Sequence, residues 1–266
     1  MTTTQKIIKY LALAFAIFLV VSILGGILKT AGLFGMLLTR DATLPESKVY
    51  SIEDPVQSLR LQINAADLTI RQGDVFQVES NLKYLSVSVK NGVLSVVEDK
   101  KYTKDYKGAT LTLCIPADTV FEKADITTGA CKLTAHELSA NILRLELGAG
   151  DVLIRELNAL HKADIEGGAG KVTVSAGTIH DLELNMGVGE LNLSAALLGS
   201  SELHMGVGEA NLTLLGGQDL YRVEIEKGIG TISVNGTAFS GQEKLGNGQN
   251  DVEIEGGVGS ITLKFE

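Results

Sequence analysis

The chain has 266 residues, room for one elongated domain or two compact ones, and 45% of them are apolar, enough to fill a core. Aromatics are only 5% and Trp is absent, so that core must be aliphatic. The first 40 residues carry Lys6, Lys9, Lys29 and Arg40 and no acid; the rest sets 19 Lys and Arg against 32 Asp and Glu, a net charge of −13 that excludes a basic nucleic-acid-binding face.

In chain order, residues 1–9 form a short basic head. Residues 10–28 follow with Ser22 as the one polar interruption, and at about 1.5 Å per residue 19 helical residues span the hydrocarbon of a bilayer. Lys6 and Lys9 ahead of the apolar run predict a cytoplasmic N-terminus and an extracytoplasmic remainder. The long apolar run and the lack of an A-x-A-like site favour an uncleaved single-pass anchor over a signal peptide. The short apolar piece 31–38 extends this helix or lies at the interface, giving an anchor over 10–38 and a polar tether over 39–55.

From residue 56 onward apolar residues alternate with polar ones, the period of strands. The segment LRLQINAADLTI places Leu59, Leu61, Ile63, Leu68 and Ile70 inward. Residues 75–97 and 110–115 alternate likewise, with a hairpin predicted at Asn91-Gly92. Residues 56–118 are expected to be an N-terminal rung and hairpin cap, with 99–108 a polar loop.

Over 119–266 the chain repeats. GxG tripeptides begin at Gly148, Gly168, Gly187, Gly206, Gly228 and Gly257, at steps of 20, 19, 19, 22 and 29 residues. Three before the first Gly, and four and six after it, all eighteen residues are apolar, from Leu145, Val152 and Ile154 to Ile254, Ile261 and Leu263. A degenerate copy surrounds Gly129, with Ile126 and Leu133 inward and Cys131 at the second Gly. Each unit reads as strand, GxG corner, strand and looser return. Alone it could not bury its apolar face, whereas stacking about 4.8 Å apart buries a continuous aliphatic ladder. The expected fold is all-β: a single-stranded parallel β-solenoid of about seven or eight rungs, right-handed by analogy with crossover connections, behind an N-terminal transmembrane helix. The insertion 235–250 is expected to loop out on one side.

LRLQINAADLTI, a hairpin, LTLCIPAD, TTGACKLTA and the serial GxG rungs together resemble the bacterial putative-adhesin domain of unknown function, over roughly residues 49–266. The resemblance implies a membrane-associated β-solenoid and brings no catalytic residues.

The GxG units do not form a dinucleotide fingerprint, which needs a third Gly and then a helix. They also lack the nine-residue period and Asp of calcium-binding β-roll repeats. Cys114 and Cys131 are too few for a disulfide framework and read as two small buried or half-buried thiols. His161 and His180, both seven before a first Gly, read as a surface corner pair rather than a metal site.

The outward positions four and two before each first Gly are acidic at Glu146, Asp164, Glu166, Glu183, Glu202, Glu224, Glu226, Glu253 and Glu255; Arg144, Asn185 and His204 complete the set. Two readings stand: a solvated face that keeps the domain soluble, or a surface for a cationic partner or divalent cations such as Ca2+. Carboxylates spread evenly along a repeat do not make a general acid–base pair. The sequence therefore points to a non-enzymatic cell-envelope protein used for adhesion or protein contacts, with no cofactor, a membrane through its helix and a protein or cell-surface partner. A regulatory or envelope-stress accessory acting through neighbouring membrane proteins is the alternative, and a β-helical carbohydrate-active enzyme a remote one.

Overall fold

The computed structural model describes residues 46–99, 107–239 and 243–266. The predicted anchor and most of the polar loop lie outside them; among the described residues no helix is long and apolar enough to cross a membrane. What is described is nearly all β.

In chain order the strands are β1 (Lys48–Ser51), β2 (Ser58–Ile63), β3 (Asp67–Gly73), β4 (Gln77–Ser80), β5 (Leu85–Lys90), β6 (Val93–Glu98), β7 (Thr110–Pro116), β8 (Phe121–Ala130), β9 (Lys132–Val174), β10 (Gly177–His180), β11 (Leu182–Leu198), β12 (Ser200–Leu214), β13 (Tyr221–Val234), β14 (Thr237–Phe239), β15 (Glu243–Leu245) and β16 (Asn250–Phe265). All belong to one sheet, parallel through its middle and antiparallel at its ends. The first strand is a correction: the stretch read as a polar tether already pairs at Lys48–Ser51 with β4.

The long strands stack with homologous residues in register. Leu184 lies opposite Ile165 on β9 and Leu203 on β12, and Gly189 opposite Gly170 and Gly208. All eighteen repeat positions predicted inward are buried. At about 1.5–3 kcal/mol per side chain, this ladder is the main source of stability. The extended backbone continues through each GxG corner, β11 spanning one and β9 two, while the register skips the first glycine: Met186 lies opposite Met205 and Val188 opposite Val207, with no Gly187–Gly206 pair between them. What changes there is parity. Leu184 and Met186 are buried on one arm and Leu191 and Leu193 on the other, so the inward face shifts from even to odd numbers across Gly187–Gly189. The second Gly takes up that slip, with φ of +146° at Gly189.

Stacking does not follow chain order at either end. The strand after β12 in the chain is β13, yet β12 pairs with β16, and β13 pairs with the far side of β16. The chain thus leaves a vacant slot one rung wide and fills it last. Glu266 N–H donates to Leu214 O at 3.0 Å, and Glu266 O accepts from Gly216 N–H at 2.6 Å, closing the slot. The rings of Tyr221 and Phe265 pack 6.1 Å apart across it. The N-terminal end repeats the device. β2 and β3 sit inside, against β8 and β9, while the later β6 and β7 lie outside them.

The outer edges are then sealed by short antiparallel strands. β4 and β5 cover β7 and β6, and β14 and β15 cover β13. Part of the predicted side loop 235–250 is therefore an edge cover, which blunts sheet-to-sheet association. The hairpin at Asn91-Gly92 forms as predicted, with φ of 50° and 73°.

Candidate functional site

Across the sheet, the positions four before each first Gly run Asp164, Glu183, Glu202, Glu253, Glu224 through consecutive in-register pairs. These predicted acidic residues form an uninterrupted column of five, with Glu253 between Glu202 and Glu224. Neighbouring rungs lie about 4.8 Å apart, close enough for like charges to repel. The positions two before the Gly form a second column, with Glu166, Asn185, His204, Glu255 and Glu226 successively in register. Glu146 and Thr127 continue it on the other side, paired by register with one another.

Basic side chains punctuate these columns, Arg144 and His204 from within them and Lys162 and Lys244 from elsewhere in the chain. Arg144 Nη2 reaches Glu146 at 2.7 Å and Glu166 at 3.9 Å. Lys162 meets Glu183 at 3.5 Å, and Lys244 meets Glu224 at 2.7 Å. His204 Nδ1 is 2.9 Å from Glu255, and its Nε2 is 4.0 Å from Glu202. These are exposed pairs, worth about 0–1 kcal/mol each. Their consequence is that the carboxylates are dispersed among partners. Among the described residues no group of three His, Cys, Asp or Glu is arranged to hold a metal ion. His161 is exposed, and His180 lies opposite Leu198, in a strand registered twenty residues back on β9. Cys114 and Cys131 are buried free thiols, and burial pushes the Cys131 thiol up.

Beside the second column runs a groove of about 950 Å³ across six rungs of five strands. It is lined by the first glycines and by Leu147, Met186 and Met205, whose side chains are buried; Glu146, Glu166, His204 and Glu255 stand along it. The position just before the first Gly is itself glycine at Gly167 and Gly256, where a Cβ would meet the side chains of Met186 and Ile261, while other rungs carry Leu147, Met186, Met205 and Lys227. That column was readable in the sequence but lacks the uniformly apolar character that marks the core columns. On the far side of the glycines the middle residue of each GxG points outward, forming an apolar ridge. Val188, Val207, Val258 and Ile229 follow one another in register, the last two 46% and 55% exposed.

No family model and no curated protein matches the chain. Solved structures similar to it include a putative cell adhesion protein from Clostridium sporogenes (16% identity, 84% of this chain and 100% of that one, TM-score 0.37). A putative adhesin from Bacteroides fragilis shares 13% identity over 82% of this chain and 95% of that one, with a TM-score of 0.42. A putative lipid binding protein from Parabacteroides distasonis shares 10% over 81% and 96%, at 0.39. Likeness at this level carries no argument about what the present chain does.

Proposed function

We propose that this chain is a non-enzymatic cell-envelope protein. In this reading a right-handed parallel β-solenoid is held at the membrane by residues 10–38, with the N-terminus cytoplasmic, and offers its repetitive outer face for adhesion or protein contacts. The observation that carries the reading is the column Asp164–Glu183–Glu202–Glu253–Glu224. Like charges in register cost stability, and sites that spend stability in this way are commonly there for recognition. The carboxylates run along the sheet instead of converging on one point, which supports binding over acid–base chemistry.

Membrane fractionation of cells making the full chain tests the proposal. The protein is expected to resist an alkaline wash, to move to the soluble fraction when residues 1–45 are deleted, and to be cleaved by protease added outside intact cells. Release by the wash, or protection from that protease, would overturn it. Crosslinked partners kept by the deletion variant mark contacts made by the β-domain, and partners lost with the anchor mark the accessory role instead.

A further inference from the structure

We infer that the groove beside the acidic columns is the docking site for an amphipathic, cationic segment of a partner protein, with its basic side chains on the glutamates and its apolar side chains on the valine ridge. The inference rests on the interaction reading above and names the partner chemistry that reading leaves open.

Three features of this one strip define the occupant. The floor is narrow and open, the first glycines carrying no side chain to obstruct an approaching chain, while the side chains of Met186 and Met205 are buried. One wall is anionic: Glu166 and Glu255 stand on it, 56% and 50% exposed at their side chains, with the five-carboxylate column one step further out. The opposite boundary is the ridge of Val188, Val207, Val258 and Ile229, directly after the floor glycines in the chain.

An anionic wall and an apolar ridge on either side of a narrow floor complement a segment with charge on one side and aliphatic surface on the other. Six rungs at about 4.8 Å give a strip some 25–30 Å long, the length of about eight extended residues. A purely polar polycation would leave the ridge uncovered. An anionic lipid surface would be repelled by the same glutamates. Charge complementarity of this kind sets specificity and association rate, so the interaction is expected to weaken with salt.

The test uses the full chain in zwitterionic detergent and three peptides of about ten residues: alternating Lys–Leu, alternating Lys–Ser and alternating Glu–Leu. Binding is read by fluorescence anisotropy in low and in physiological salt. The Lys–Leu peptide is expected to bind at least about tenfold more tightly than either control, a difference of about 1.4 kcal/mol. The double variant Glu166→Gln/Glu255→Gln and, separately, Val188→Ser/Val207→Ser are each expected to lower its affinity several-fold. Both pairs are at least partly exposed and leave the core columns untouched, and unchanged melting temperatures verify that the variants fold. Equal binding of the Lys–Leu and Lys–Ser peptides, or affinity indifferent to both double variants, would overturn the inference. Failure here leaves the fractionation result standing, and failure of fractionation leaves the peptide result standing, so the two readings fall separately.

Discussion

At Gly189 two demands coincide. Its φ of +146° lies where side-chain-bearing residues are strained, and a Cβ there would overlap the carbonyl oxygen of Gly170 on the adjacent rung. Gly187, with an ordinary φ, meets only the second demand, from Gly168 O. Gly189→Ala is accordingly expected to lose about 2–4 kcal/mol, from backbone strain and rung displacement together, measured by denaturant unfolding. Gly187→Ala should lose less. The neighbouring Glu190 shows a different residue-scale effect: Lys171 Nζ at 2.9 Å and Asn192 Nδ2 at 2.8 Å both favour its charged form. The Lys171 hydrogen bond first and the Asn192 bond second hold this exposed carboxyl below the ordinary Glu range. A depressed folded-state value means that the contribution is present above the ordinary Glu range and is lost as pH falls through the depressed value. Carbon-detected NMR titration should find the Glu190 midpoint low in the native chain and moved up in Lys171→Met. An unchanged midpoint would assign the effect elsewhere.

At the scale of elements, the exchanged rungs make a sharper claim than the repeat does. If strands stacked in chain order, removing 250–266 would trim a terminal rung and leave the rest intact. Because β16 lies between β12 and β13, the same deletion strips ladder partners from both. It also removes four buried aliphatics, Val252, Ile254, Ile261 and Leu263. At about 1.5–3 kcal/mol each, they approach the whole net stability of an ordinary domain. The truncated chain is expected to lose cooperative melting by circular dichroism and to be cut rapidly by protease within 221–239. A melting temperature matching the full chain would contradict the observed order. The alternation and GxG spacing identify which residues belong to a rung. They do not say which rungs are neighbours, because every rung offers the same apolar columns and any in-register pair satisfies them. The irregular steps of 22 and 29 residues were the trace of the exchange, since the chain needs extra length to skip a rung and return.

For the molecule as a whole, the same ambiguity separates the face from the site. The acidic positions were readable because outward residues keep their period, and the rung exchange sets only their order, with Glu253 between Glu202 and Glu224. Lys244, which meets Glu224, arrives from an insertion with no place in the repeat. The groove likewise becomes a feature only when six rungs lie side by side.

The sequence by itself determined the all-β character, the inward columns and the hairpin at Asn91-Gly92. These depend on residues within about twenty positions of one another, on side-chain alternation and on backbone steric limits. Only the tertiary structure decided the order of the end rungs, the covers on the sheet edges, the approach of Lys162 and Lys244 to the carboxylates and the groove. Each depends on contacts between distant segments whose local patterns are interchangeable, so that chain connectivity and the closing of exposed edges, not pattern, select among them. The acidic face thus passed from a periodic feature of the chain to a five-carboxylate column beside an apolar groove.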